Sequence, residues 1–261
     1  MAKRLEGLYD IHCHLVPYVD DGADTLEVSK ALLKEEYKQG VRHITITSHY
    51  RKDMFDTPRD ELVSQFRRLG LWALKDPVLK NMELGLSREY FCDKRLEKLL
   101  LDTNRTRVCD PALLPFGKER PVLLIEFTTG HLEYETMEYF VSLVTRLGWI
   151  PMIAHVERYR PVQKDPFTVI SALKKAGAVI QNNAAAVLGD EGKHSKKLTN
   201  ELIEKGFTDI VASDAHHIDY RRPNLARAYE YLTKKYGIER AQALLITMPD
   251  YLMHGPYQEE K

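Results

Sequence analysis

The feature that most constrains this chain is an alternation, seven times over, of short β-rich runs with longer segments of helical period. The runs are Leu8 to His14, His43 to His49, Met82 to Tyr90, Val122 to Phe127, Ile150 to Val156, Ala178 to Asn183 and Asp209 to His216. Between them, apolar residues recur at helical spacing, as in Leu62, Phe66 and Leu69, or Met137, Phe140, Val141 and Val144, or Val169, Ile170, Leu173 and Ala176. Thr57-Pro58 and Asp165-Pro166 each offer an N-cap with proline behind it, and Gly40, Gly148, Gly177 and Gly206 stand where a left-handed residue would end a helix. The third helix reads as short, Asp93 to Leu101, and residues 103–121 read as an irregular connection.

Periodicity alone does not separate an open parallel sheet from a closed barrel. Polar residues at the strand ends do. An open sheet gathers its ligand at one switch point, whereas a barrel turns the C-terminal end of every strand toward one mouth. Here the runs end in His12 and His14, His49, Glu89, Glu126, His155, Asn182 and Asn183, and Asp214 and His216. Six of the seven therefore end in His, Asp or Glu, and such groups gathered at an apolar mouth need a partner. The expectation is an α/β chain whose seven strands close into a (β/α)7 barrel, with residues 1–261 forming one domain.

Strand alternation places His12 with His14, and Asp214 with His216, on one face, and turns Cys13 away from that face. Imidazole and carboxylate without thiolate suit Mn²⁺, Fe, Zn²⁺ or Co²⁺. The set is too large for one ion. It fits two or three, with open positions for water and substrate.

A chain of 261 residues with 44% hydrophobic content can bury one large core. Lys+Arg and Asp+Glu balance at 38 each, so there is no global basic field to hold a nucleic acid. The segment Met1-Ala-Lys-Arg-Leu-Glu-Gly7 is charged and runs straight into the first strand, which leaves no apolar signal core. No apolar stretch approaches the roughly 20 residues that span a bilayer, so membrane insertion is not expected. Three cysteines, Cys13, Cys92 and Cys109, lack paired spacing; this points to reduced thiols and a cytoplasmic location.

Several motifs together carry a family resemblance: Asp10-Ile-His-Cys-His-Leu-Val-Pro17 followed by Asp20-Asp-Gly22, Thr47-Ser-His-Tyr-Arg-Lys-Asp-Met-Phe55, Ile125-Glu-Phe127, Ile153-Ala-His-Val-Glu-Arg-Tyr159 and Ala212-Ser-Asp-Ala-His216. They resemble the PHP (polymerase and histidinol phosphatase) superfamily. Within it they are most similar to the bacterial manganese-dependent protein-tyrosine phosphatases of capsular and exopolysaccharide loci. The resemblance implies a distorted seven-stranded barrel and a trinuclear site, with Mn²⁺ as the expected metal. One ion would sit on His12, His14, Glu89 and Asp214, a second on Glu89, Glu126 and His155, and a third on Asp21, His49 and His216. Glu126 favours the tyrosine-phosphatase branch, because the histidinol-phosphatase branch more often has His there. The family's Gly-x motif before the bridging glutamate is replaced by Leu86-Ser87-Arg88, which leaves Glu83 as a competing assignment to Glu89.

Arg158 and Arg221 follow metal-binding strand ends, and a guanidinium fork binds phosphate oxygens bidentately, so both are candidate phosphate clamps; pairing with Glu157 or Asp219 is the ordinary alternative. Arg51, Lys52 and Phe55 are placed to meet a phosphotyrosine ring or its peptide, or to form an ordinary solvated loop. Asn182 or Asn183 can orient a ligand by hydrogen bonding. His43, His131, His194, His217 and His254 read as surface or structural residues. No cysteine heads a thiol-phosphatase loop, since the sixth residue after each is Val19, Lys98 or Pro115 rather than Arg.

The expected reaction is one-step hydrolysis by a hydroxide held between metals. By resemblance, the substrate is a phosphotyrosine-containing protein, the tail of a membrane-associated tyrosine autokinase controlling polysaccharide synthesis. The competing readings are a histidinol-phosphate or other small-phosphomonoester phosphatase and a non-catalytic PHP scaffold.

Overall fold

In the computed structural model, which describes residues 6–256, seven parallel strands form one sheet in chain order. They are β1 (Leu8–Asp10), β2 (Val41–Tyr50), β3 (Glu83–Phe91), β4 (Val122–Glu126), β5 (Ile150–Ile153), β6 (Val179–Asn183) and β7 (Ile210–Ala212). The two edges meet just beyond the strands. His14 N donates to Ala215 O at 2.8 Å, Asp214 N donates to His12 O at 2.9 Å, and Cys13 bridges Ala215 in parallel. The sheet is thereby a nearly closed barrel. The start of the Met1–Gly7 segment lies outside the described residues. Among those described, no helix is long and apolar enough to cross a membrane.

The helices that wrap the outside are α1 (Leu26–Lys38), α2 (Arg59–Lys75), α3 (Lys94–Thr106), α4 (Tyr134–Arg146), α5 (Arg160–Lys164), α6 (Pro166–Lys175), α7 (Ala184–Leu188), α8 (Lys193–Glu204), α9 (Leu225–Tyr236) and α10 (Ile238–Gln242), and α11 (Met248–His254) closes one end. Asp165 caps α6 as expected, its side chain accepting from Thr168 N with Pro166 at the first helical position. Gly40 and Gly177, where α1 and α6 give way to the next strand, have φ of 97° and 104°, a region that glycine enters without a Cβ penalty.

Three local readings are corrected. Thr57 does not cap α2, because its hydroxyl donates to Val19 O at 2.8 Å and so ties the loop to the chain beyond β1. The third helix continues past Leu101 to Thr106 and ends at left-handed Arg107; Asp93 caps its start, and Leu96, Leu100 and Thr103 bury its inner face. The irregular connection is correspondingly shorter. The first and last strands end at Asp10 and Ala212, short of His14 and His216, since the chain bends at His12 and Asp214 takes φ +52°.

Period-two alternation on β4 carries the fold to the site. Leu123 and Ile125 pack outward with α3, α4 and α6, while Val122 and Leu124 join Ile11, Met152 and Ile210 in the barrel interior. Continuing the inward series brings Glu126 to the mouth. At the other end Tyr9, Phe116, Leu252 and Met253 close the base, so that α11 plugs the barrel.

Candidate metal centre

All nine residues expected to ligate meet at the C-terminal mouth. Glu89, at the inner face of β3, is fully buried at the centre. Its Oε2 lies 3.3 Å from His12 Nε2, 3.3 Å from His14 Nε2 and 3.0 Å from His49 Nδ1, and its Oε1 is 2.9 Å from His155 Nε2. Glu126 Oε1 is 3.2 Å from His49 Nδ1, and Asp214 Oδ1 is 3.5 Å from His12 Nε2. Asp21 Oδ1 stands 3.4 Å from both His49 Nε2 and His216 Nε2. Ligand atoms fall into overlapping groups able to hold a cation: His12, His14 and Glu89; His12, His155 and Asp214; His49, Glu89 and Glu126; and His14, Asp21, His49 and His216. His14 thus reaches the Asp21 group as well as Glu89, and His49 offers one ring nitrogen to each side. Glu83 is at the first residue of β3, six positions and roughly 20 Å of strand from Glu89.

The imidazoles are oriented as ligands. His14 Nδ1 meets Asp20 Oδ2 at 2.9 Å, His12 Nδ1 meets Gln181 Oε1 at 3.2 Å, His155 Nδ1 meets Tyr159 Oη at 3.2 Å, and His216 Nδ1 meets the Asp214 carbonyl at 2.9 Å. The acceptor oxygens of Asp20, Gln181 and Asp214 favour a proton on Nδ1 of His14, His12 and His216 and leave Nε2 for the centre, the arrangement common to metal-bound histidines, and Tyr159 holds the His155 ring in place. Asp20 also accepts from His49 N at 2.9 Å and from Gly22 N at 3.1 Å. Gly22 is required by space, because a Cβ there would overlap the His14 carbonyl.

The buried polar atoms fit a cation. Both oxygens of Glu89, His49 Nδ1 and His216 Nε2 have no hydrogen bond of good geometry, and leaving such atoms buried and unpaired is costly. Burial pulls the His12 pKa down, but Glu89 and Asp214 outweigh it and hold His12 at about 9. Burial likewise opposes ionisation of Glu89 and Asp214, yet the neighbouring histidines, joined at Asp214 by Arg221 and Arg158, keep both well below the usual carboxylate range. The mouth therefore favours positive charge where divalent ions would displace protons. His216 is the exception: burial and the nearby His14 pull it down to about 4, which keeps its ring neutral. His155 and Asp214 hold left-handed backbone, at φ 33° and 52°, a strain of about 1–3 kcal/mol each that the surrounding hydrogen bonds maintain.

Arg158 and Arg221 both reach the mouth, and neither pairs with the acid considered from sequence. Arg221 Nη2 donates to both oxygens of Asp214 at 2.8 Å; Arg158 donates to Glu191 Oε1 at 2.7 Å and approaches Asp214 Oδ2 at 3.1 Å. With Arg222 and Arg227 they line a cavity of about 550 Å³ beside Asp214. Phe55 stacks on His49, with centroids 5.0 Å apart and planes 12° apart, and Arg51 lies over Phe91, so this loop forms one wall of the mouth. Asn183 donates to Asp214 Oδ2 at 2.8 Å, whereas Asn182 is turned to Glu157. Sequence reasoning missed Asp20, Gln181, Tyr159 and Glu191. Asp20 and Tyr159 carried a signal, in the Asp-Asp-Gly turn and at the end of the His-Val-Glu-Arg-Tyr motif.

The cysteines have no part in this geometry. Cys13 packs outward among Leu32, Ile44 and Val211, Cys92 lies behind β3, and Cys109 is exposed on the connection after α3. Burial pushes all three thiols upward, the opposite of an activated nucleophile.

A family model for capsular polysaccharide synthesis proteins, CpsB/CapC, matches residues 8–254. The chain belongs to the CpsB/CapC family. It is 34% identical over 248 residues to the tyrosine-protein phosphatase CpsB of Streptococcus pneumoniae, covering 93% of this chain and 96% of that one. It is 29% identical over 240 residues to the tyrosine-protein phosphatase YwqE of Bacillus subtilis, covering 89% and 86%. A solved chain from the work on YwqE of Bacillus subtilis and CpsB of Streptococcus pneumoniae, described as unique metal-dependent tyrosine phosphatases, superposes with a TM-score of 0.80 at 26% identity over 94% of each chain. The phosphotriesterase homology protein of Escherichia coli shares the barrel alone, with a TM-score of 0.61 at 10% identity over 95% of this chain and 98% of that one.

Proposed function

We propose that this protein is a metal-dependent protein-tyrosine phosphatase whose residues 1–261 act as one domain. The observation that carries the reading is Glu89, a buried carboxylate with both oxygens turned to imidazoles and two arginines bordering the same mouth. The family match and the relatives' names support the substrate class.

On this reading His12, His14, Glu89 and Asp214 hold one ion, Glu89, Glu126 and His155 a second, and Asp21, His49 and His216 a third. The donor chemistry suits Mn²⁺ and also accepts Fe, Zn²⁺ or Co²⁺. Bound divalent ions supply Lewis acidity and lower the pKa of water from about 16 toward about 7. Arg158 and Arg221 take the phosphoryl oxygens: Asp214 engages only Nη2 of Arg221 at 2.8 Å, which leaves further donors of the fork for an anion. Phe55 and Arg51 border the phosphotyrosine ring. A phenolate with pKa about 10 leaves with little protonation, whereas an alkyl phosphate such as histidinol phosphate needs a general acid.

On this reading the physiological substrate is the phosphorylated tail of a membrane-associated tyrosine autokinase, met in the cytoplasm, a reading that the capsule-synthesis family supports. The deciding experiment compares kcat/KM for a phosphotyrosyl peptide and for histidinol phosphate on Mn²⁺-loaded protein. A large preference for the peptide is expected; preference for histidinol phosphate would move the protein to the small-phosphomonoester class.

A further inference from the structure

At the base of the barrel, the end remote from the phosphatase mouth, a second group of metal-ligating side chains converges from three elements. His43 of β2 points Nδ1 at Glu83 Oε2, the first residue of β3, at 2.8 Å. His254, the last residue of α11, places Nε2 at 3.1 Å from both Glu83 oxygens. These ligand atoms all lie within 4.8 Å of one another.

Two features set this group apart from a surface ion-pair network. The first is orientation. His254 Nδ1 meets Asp250 Oδ1 at 2.6 Å, and Tyr9 Oη donates to that same oxygen at 2.6 Å, so the ring is held with Nε2 facing Glu83, where a cation would take the place of the ring's second proton. This is the carboxylate–histidine arrangement that orients metal-bound imidazoles, and the one His14 shows with Asp20 at the mouth. The second is preorganisation. The His43 ring stacks flat on Tyr9, with centroids 4.2 Å apart and planes 6° apart, and Tyr9 is itself fixed in the barrel core. The group borders a cavity of about 490 Å³ that Glu119 also lines, which leaves room for water as a further ligand. Asp250 and Glu119 line this cavity with His43 and His254, so two carboxylates besides Glu83 stand near the group.

We infer that His43, Glu83 and His254 form a structural divalent-cation site that clamps the C-terminal helix to the base of the barrel. Two imidazoles and one carboxylate are donors that zinc accepts, and a water from the cavity would complete four-coordination. Because the ligands come from β2, β3 and α11, the ion joins segments 40 to 211 residues apart and binds only the folded chain. Its role is stability rather than turnover, since none of its ligands reaches the mouth.

The test measures zinc bound per chain, by elemental analysis after dialysis of the full-length protein against a fixed free-zinc buffer. Wild type is compared with the His43→Gln/His254→Gln double variant and with Asp250→Asn. The double variant is expected to bind one zinc fewer and to keep its phosphatase turnover. Its zinc-induced rise in Tm should fall short of wild type's by this site's share, on the order of 5 °C at a hundredfold excess over Kd. Asp250→Asn should keep the stoichiometry at saturation but weaken affinity at this site about 10–100-fold. Should the double variant fail to fold, Glu83→Gln provides the same stoichiometric reading with little change of shape. Equal zinc content and an equal Tm response in wild type and the double variant would overturn the inference and leave a hydrogen-bonded clasp.

Discussion

The two ends of the barrel are built from the same seven strands and do opposite things. At the base, Tyr9, Phe116, Leu252 and Met253 fill the interior with apolar volume. At the mouth, the strands give way to His12, Asp214 and His155, where the chain bends or turns left-handed, and the interior fills with charge. The bends beyond β1, β5 and β7 turn His12, His155 and Asp214 toward the same centre that His49, Glu89 and Glu126 reach from the ends of β2, β3 and β4. The lesson is that this fold separates stability from chemistry along the barrel axis, so substitutions at the two ends should have separable effects.

The largest effect is expected at the centre of the mouth. Glu89→Gln should lower kcat/KM by about 10³-fold or more, because it removes the carboxylate shared by four imidazoles; the loss of several kcal/mol of charge stabilisation sets that scale. Steady-state kinetics with metal analysis checks this, and near-normal kcat/KM would break the comparison at its strongest point. Arg158→Ala or Arg221→Ala should cost about 10²-fold in kcat/KM with metal content unchanged. Unchanged kinetics in both would return them to a purely structural pairing with Asp214 and Glu191.

In the barrel interior, Leu124→Ala should lose about 2–5 kcal/mol of folding stability in denaturant titrations while leaving kcat near that of wild type. A fall in kcat matching that of the arginine variants would show that the two ends are not independent. Gln181→Ala has a smaller expected effect: it frees His12 Nδ1 and His155 N and should weaken metal binding about 10–100-fold, with turnover recovered at high metal.

Much of this was legible in the sequence because strand alternation and strand ends are local. The inward series Val122, Leu124, Glu126 follows from period two, and the convergence of His49, Glu89 and Glu126 follows from the barrel. What was not legible depends on partners distant in the chain. Gln181 orients a histidine 169 positions away, and Thr57 looked like a helix cap until Val19 took its hydroxyl. His43 and His254 read as structural histidines one by one, and only the fold brings both to Glu83. The strand ends at Asp10 and Ala212 were overrun because the residues beyond them keep β-rich composition while the backbone departs from the ladder.

The chemistry at the mouth should depend on cations and on no thiol. The most direct measurement follows phosphotyrosyl-peptide turnover against metal bound per chain, starting from rigorously stripped protein and adding Mn²⁺ back, in wild type and in Cys13→Ser. Cys13 sits between His12 and His14 yet packs outward, which makes it the strictest thiol control. Turnover should be absent in stripped protein, rise with bound metal and be largely retained in Cys13→Ser. Full activity without metal, or loss of activity in folded, metal-loaded Cys13→Ser, would contradict it.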